Sequence, residues 1–358
     1  MRDQKIIKSL RKKYSLLVLG WNRQGKSSGN ILNTGGMKLF NLKAPSGTEP
    51  YGALRLIPYL PLFWIWMFLK ICRIRPKCVH ACDLSTVAPC YLYKLLFRKR
   101  LVFDIFDRYA MAYIPRDRNI FFKVLYYVVN WLEENLAKSS DVLINVSDEM
   151  LQTFGKKPKQ CVTIMNCSED HMAHRAKVIS NGFKILFTGH IRLGRGLELV
   201  PEIVSNLENV QVVITGRMED KKLLSKIERL PSTNYKGFLE HNEVLDLEAG
   251  SDVMMALYDL KLQIQNKFVM GNKLFESMMC GTPIITNVAR EIVNETRCGI
   301  IVDYNDTQQI KEAIATLRDN PELRKRLGEN ARNAFLEKYN WKIMEQRLHQ
   351  IYEHLLLK

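Results

Sequence analysis

MGNKLFESMMCGTPII, residues 270–285, reads as a helix entered at Gly271-Asn272 and closed by Gly281, with Thr282-Pro283 leading into the next strand. Lys273 and Glu276 stand near its start. Glu276 lies one turn in, where a carboxylate can accept hydrogen bonds from vicinal sugar hydroxyls. Upstream, FTGHIRLGRGLELV, residues 187–200, sets Arg192 and Arg195 in a glycine-rich turn between a strand and a helix. Guanidinium groups beside a helix N-terminus form a trap for a diphosphate. Singly, each of these residues reads as a solvated charge. Together, in neighbouring loops at strand ends, they point to an anionic ligand.

Around these segments the second half alternates strand-like runs at 183–189, 210–216, 234–239, 252–258, 282–288 and 298–304 with runs of helical length. That alternation implies right-handed crossovers and a parallel sheet. The first half follows suit, with SLLVLG (15–20), KCVHACD (77–83), RLVFDIFD (100–107), DVLINVS (141–147) and CVTIMN (161–166) as strands and a long helix over 119–139. The predicted fold class is α/β: two doubly wound, Rossmann-like domains facing across a cleft, with ligand at the carboxyl ends of the strands. The expected boundaries are a first domain over 1–168, a linker over 169–181, a second domain over 182–338, and a C-terminal helix over 339–358 packing back on the first.

The 358 residues, 47% hydrophobic and 25% charged, suffice for two buried cores and exclude a disordered or fibrous chain. A formal charge of +16 favours polyanionic partners. The cysteines form no C-x-x-C pair and read as reduced thiols of the cytosol. Cys78, His80 and Cys82 would share one face of a strand, but no second ligand pair with zinc-like spacing follows, so no metal is expected. The basic start, MRDQKIIKSLRKKYS, lacks the apolar core of a signal peptide.

LIPYLPLFWIWMFL, residues 56–69, has 14 uncharged residues including Pro58 and Pro61. A spanning helix needs about 20. Trp64 and Trp66, with Phe63 and Phe68 beside them and Arg55, Lys70, Arg73, Arg75 and Lys77 flanking, predict instead an interfacial helix on an anionic membrane surface.

One motif competes for the chemistry. Gly20 to Ser27, GWNRQGKS, satisfies the phosphate-loop pattern G-x-x-x-x-G-K-[ST] after a short apolar run, which would make the chain a triphosphatase. Such a loop must open directly into a helix whose N–H groups cradle the phosphates. The sequence that follows is broken by Gly29, Gly35, Gly36, Pro45 and Gly47, and Trp21 is bulky for a phosphate wrap.

The segments NKLFESMMCGTPII, FTGHIRLGRGLELV and CGIIVDYNDTQQIKEAIATL, in their order and spacing, resemble the family-4 retaining glycosyltransferases of the GT-B fold. The second half resembles the family throughout. The first half does so more weakly, through CVHACDLSTVAPCYLYKLLFRKRLVFDIFD and ENLAKSSDVLINVSDEM. The resemblance implies an NDP-sugar donor held mainly by the second domain, an acceptor held mainly by the first, and no metal or other cofactor. Glu276 matches the family's ribose-binding Glu, and Arg195 falls where a Lys usually meets the diphosphate. Donor contacts are also expected from His190, Arg192, Gly271, Asn272 and Lys273, and from Arg23, Gly35 and Gly36 in the first domain's loop.

Three positions depart from the family's pattern: Phe268 replaces an acidic residue, His190 an Arg, and Phe106 a His. Asp104 and Asp107, beside Phe106, are the candidates for catalysis by orienting the acceptor hydroxyl. The reading is a retaining glycosyltransferase acting on a lipid-linked or cell-envelope glycan. It would be cytoplasmic, peripherally bound to the inner face of the plasma membrane, with no nucleic-acid partner. The alternatives are the phosphate-loop NTPase and a catalytically silent GT-B subunit, for which the three departures speak.

Overall fold

The computed structural model describes residues 2–23, 36–44, 54–172, 182–204, 207–261 and 272–357. They form two compact domains. The first gathers the described residues up to Met165 and those from Glu345 onward; the second runs from Asn166 to Met344.

The first domain contains α1 (Arg2–Arg11), β1 (Val18–Asn22), β2 (Met37–Asn41), α2 (Leu60–Ile74), β3 (Cys78–Cys82), α3 (Leu84–Phe97), β4 (Arg100–Asp104), α4 (Tyr109–Tyr113), α5 (Ile120–Ser139), β5 (Val142–Asn145), α6 (Asp148–Gln152) and β6 (Gln160–Thr163). β3-β4-β5-β6 form one parallel sheet in that order, and β1-β2 form a separate parallel pair. β4 and β5 are buried along almost their whole length, as the apolar run LVF and the run VLI require of strands covered on both faces. Several elements of this domain were not legible in the sequence, among them α1 and β2. α1 is too polar on average to stand out, yet it buries Ile6 and Leu10; β2 lies in a glycine-rich stretch and is held by pairing with β1.

The second domain contains β7 (Phe183–Thr188), α7 (Val200–Val204), β8 (Val210–Thr215), α8 (Lys221–Glu228), β9 (Thr233–Tyr235), α9 (His241–Ala249), β10 (Val253–Ala256), α10 (Asn272–Cys280), β11 (Ile284–Thr286), α11 (Arg290–Thr296), β12 (Gly299–Ile301), α12 (Thr307–Asp319) and α13 (Pro321–Glu337); α14 (Trp341–Leu357) begins here and ends in the first domain. Its parallel sheet has the order β12-β11-β10-β7-β8-β9, the doubly wound order, reversing between β7 and β10. Ile185, Val212, Ile214, Met255 and Ile285 from these strands meet Leu197, Leu224, Ile227, Ile310 and Ile314 from the helices in one core. The strands expected from sequence are all present, β9 shortened to Thr233–Tyr235.

Candidate functional site

Where the strand order reverses, the segment after β7 and the segment after β10 are drawn together. Gly196 has φ 82° and lies so close to Leu257 that a Cβ there would stand 2.6 Å from Leu257 Cβ. Only glycine meets both demands. The Asp259 N–H donates to the Gly194 carbonyl at 3.1 Å. Glu198 ties the turn from beneath: its carboxylate accepts the Gly194 N–H and, at 2.5 Å, the Tyr304 hydroxyl. Asn287 fixes the end of β10, accepting the Tyr258 N–H at 2.9 Å and donating to the Tyr258 carbonyl at 2.8 Å.

On this frame two cations share one ring. The Arg195 guanidinium lies 5.1 Å from the Tyr258 ring centroid and Lys273 Nζ lies 5.5 Å from it. Arg195 Nε is buried and has no hydrogen-bond partner among the described residues. Lys273 runs its stem over Gly189 (φ 102°), where a Cβ would meet Lys273 Cε at 3.5 Å. Burial, and then the Arg195 charge, push the Lys273 amine down to about 8, against the opposing pull of Glu276 and Glu248. Burial lowers Arg195 as well. Half-buried like charges held together are unfavourable until an anion joins them.

α10 carries Lys273 and, one turn on, the half-buried Glu276, whose carboxylate is 3.9 Å from His241 Nδ1. The helix ends as the sequence suggests: Gly281 takes φ 64° and the Thr282 N–H donates to Ser277 O at 2.9 Å. Behind it on α9, Glu248 is fully buried, and neither carboxylate oxygen has a hydrogen-bond partner among the described residues. Burial, and then the Glu276 charge, raise the Glu248 carboxyl well above the usual carboxylate range.

The structure therefore brings Arg195, Lys273 and Glu276 to one place. His190 and Arg192 sit more exposed, both on Glu219, with His190 Nδ1 at 2.5 Å and Arg192 at 3.9 Å. Asn272, at the start of α10, accepts from Asn166 Nδ2 at 2.8 Å. Gly271, Phe268 and Gly35 lie outside the described residues. Sequence reasoning missed Tyr258, Glu198, Asn287 and Glu248; only Tyr258 left a signal, as the aromatic residue ending the run DVMMALY.

At the end of β4 in the first domain the charge is already satisfied. Asp104 is fully buried, with Arg2 donating to Oδ1 at 2.6 Å and His80 Nε2 donating to Oδ2 at 3.1 Å. His80 Nδ1 in turn takes the Tyr352 hydroxyl at 2.5 Å. Burial works to raise the Asp104 carboxyl, and Arg2 and His80 overcome it, leaving its pKa below the usual value. Asp104 thus fixes β4 and α1 and is not open to an acceptor, which corrects its expected catalytic role. Arg2 also covers the Phe106 ring at 4.5 Å. Of the group His80, Cys82 and Asp104, whose ligand atoms lie within 4.8 Å of one another, Arg2 already supplies the positive charge.

Asp107 is less enclosed and accepts the Tyr113 hydroxyl at 3.1 Å. Asp83, unremarked in the sequence, follows β3 with φ 62° and accepts the Phe106 N–H at 2.9 Å. Burial pushes its carboxyl up to about 8.

Two further expectations change. Gly20, Trp21 and Asn22 belong to β1, so the phosphate-loop pattern starts inside a strand; Trp21 stacks on Phe63 at 5.2 Å and donates from Nε1 to Leu42 O at 2.8 Å. Residues 24–27 of that motif lie outside the described residues. Arg23 O accepts the Ala44 N–H, and Gly36, φ 119°, binds the Val18 N–H through its carbonyl at 2.8 Å, so both serve the β1-β2 pair. Trp64 and Trp66 do not face outward. Trp64 Nε1 donates to Ser85 O at 2.7 Å, and Trp66 packs on Phe40 at 5.4 Å; the exposed large apolar residues of α2 are Leu62, Ile65, Leu69 and Ile74.

Comparison with known proteins agrees with this geometry. Residues 172–334 match the family described as Glycosyl transferases group 1. An uncharacterized glycosyltransferase of Methanocaldococcus jannaschii is 22% identical over 86% of this chain and 84% of its own length. Among solved structures, sucrose-phosphate synthase from Thermosynechococcus elongatus superposes with a TM-score of 0.74 at 15% identity, over 99% of this chain and 93% of that one. The Anabaena protein HepE, in complex with UDP and glucose, gives a TM-score of 0.64 at 14% identity, over 95% and 100%. These likenesses give the fold as GT-B, and the glycine-turn cations lie within the segment that matches the group 1 glycosyl transferases, which supports glycosyltransferase activity.

Proposed function

We propose that the enzyme transfers a sugar, with retention at the anomeric carbon, from a nucleoside diphosphate sugar to a hydroxyl of a lipid-linked or cell-envelope glycan. The reaction would take place at the cytoplasmic, inner face of the plasma membrane. The observation that carries the donor assignment is the pair of cations on Tyr258, neither of them ion-paired among the described residues. A diphosphate supplies the charge that this pair lacks.

In this reading Arg195 and Lys273 bind the diphosphate oxygens, joined by the N–H groups that open α10. Glu276 accepts from the ribose hydroxyls. As the bond to the anomeric carbon breaks, charge grows on the departing diphosphate and the sugar becomes oxocarbenium-like. Fixed cations in a partly dehydrated site stabilise that state more than the ground state. The departing oxygen then takes the acceptor's proton on the same face, so no enzymic nucleophile and no metal is called upon. Asp107 and Asp83 orient the acceptor; a carboxyl kept protonated near neutral pH, as Asp83 is, can donate a hydrogen bond.

A thermal-shift screen over UDP-, GDP-, ADP- and dTDP-sugars tests the reading, because a bound donor raises the melting temperature by mass action. The expected result is stabilisation by one donor class, lost in Arg195→Ala and Glu276→Ala and kept in Lys26→Ala. Stabilisation by ATP that only Lys26→Ala removes would overturn it.

A further inference from the structure

We propose that α2, α3 and α5 together form a face that docks on an anionic lipid bilayer, lying along it without crossing it. The inference deepens the membrane location proposed above and rests on that reading only for which membrane is met.

The case begins with α5. Ile120, Phe121, Val124, Tyr127, Val128 and Trp131 recur at helical spacing along one side of α5, and all are exposed, Phe121 to 66% and Trp131 to 58%. A water-facing helix of a soluble domain carries polar residues there. The neighbouring helices do the same: α2 exposes Leu62, Ile65 and Leu69 in one stripe, and α3 exposes Leu95 and Leu96. α3 packs against both α2 and α5, so the three stripes belong to one side of the domain. Apolar surface left this extensive on a soluble domain marks a site of association.

Charge identifies what it meets. Among the described residues, the exposed charged side chains of these three helices are Arg73, Lys123 and Lys138, all basic. The two acids of α5 are turned away: Glu133 is buried, accepting the Tyr109 N–H at 2.6 Å, and Glu134 accepts the Gly155 N–H at 3.2 Å. Apolar and aromatic side chains among cations suit the headgroup boundary of an anionic leaflet. A second copy seated on the same face would set the same cations against one another.

Residues Leu56–Ile74 are apolar and long enough to cross a membrane by composition alone. Crossing would strip Phe63, Met67 and Ile71 from the core, break the Trp64 bond to Ser85 and draw Arg73 into hydrocarbon. Lying on the surface keeps every one of these contacts.

Flotation of the full chain with phosphatidylcholine vesicles, with and without about one-third phosphatidylglycerol, tests the proposal. The expected result is binding to the anionic vesicles, weakened by salt, and falling at least about tenfold in Phe121→Glu/Trp131→Glu and in Ile65→Glu/Leu69→Glu. All four side chains are exposed, so melting temperatures should match the wild type. Failure to float, flotation unchanged by either pair, or equal binding to pure phosphatidylcholine would overturn it. So would a dimer in sedimentation equilibrium that the same pairs dissolve, or resistance of the vesicle-bound protein to alkaline carbonate, which marks a spanning helix. Because donor binding is read separately, vesicle binding without any donor shift would sink the functional reading and leave this one standing.

Discussion

The two domains put charged residues at the same kind of place, the carboxyl ends of parallel strands, and treat them in opposite ways. In the first, Asp104 is closed in by Arg2, His80 and, through the imidazole, Tyr352. In the second, Arg195 and Lys273 face one another across Tyr258 with no carboxylate ion-paired to either among the described residues. Position on the fold is thus not enough to name a site residue. An internally paired charge stabilises its surroundings; a charge left wanting a counter-ion marks where a ligand belongs.

The largest effect expected from this contrast is on folding. Asp104→Ala leaves Arg2 buried and uncompensated and should cost about 3–5 kcal/mol in urea denaturation. Donor affinity of the folded fraction should not change. Since Arg2 and His80 hold the Asp104 pKa below 3.8, its contribution is present above that value and is lost as pH falls through the folded pKa. A stable Asp104→Ala protein with no transfer activity would break the comparison from the first domain's side.

Next comes donor affinity. Arg195→Ala removes a charge-assisted contact and should weaken binding by about 1.5–3 kcal/mol, roughly 10- to 100-fold, with the melting temperature of the free protein little changed. A smaller effect sharpens the picture of Lys273. With the amine lowered to about 8, it is protonated below that pH and must take up a proton to meet a diphosphate above it. Donor affinity should therefore hold below about pH 8 and fall by up to about tenfold per unit above it. In Lys273→Arg, whose guanidinium stays charged, that pH dependence should vanish.

The smallest effect concerns Glu248. Its folded pKa is raised, so the protonated form adds stability at low pH that is lost as pH rises from 4.5 toward the folded value. Glu248→Gln keeps a neutral side chain of the same shape. It should raise stability by about 1 kcal/mol at pH 8 and less at pH 5, read as a difference in melting temperature.

How far the sequence could be read follows from the same physics. The second domain was legible strand by strand because its apolar runs alternate with helices of matching length, and the glycines at 196 and 281 stand where backbone geometry requires them. Arg195, Lys273 and Glu276 were legible because each lies within a few residues of a strand end or helix start. Tyr258, Glu198 and Asn287 act through contacts between segments 29 to 106 residues apart, which no local pattern records. In the first domain, Asp104 carried the right local signal and the wrong meaning, because its partner Arg2 is 102 residues away. The Trp-rich segment misled for a related reason. Its tryptophans looked interfacial by type, but β2 and α3 claim them, and the outward residues are the plainer Leu62, Ile65, Leu69 and Ile74.

Calorimetric titration of the stabilising nucleoside diphosphate into wild type, Arg195→Ala and the Arg195→Ala/Lys273→Ala double variant tests the central claim most directly. Tight binding by the wild type should weaken roughly 10- to 100-fold in the single variant and become undetectable in the double one. Wild-type affinity in the double variant would show that the paired cations on Tyr258 are not the diphosphate site.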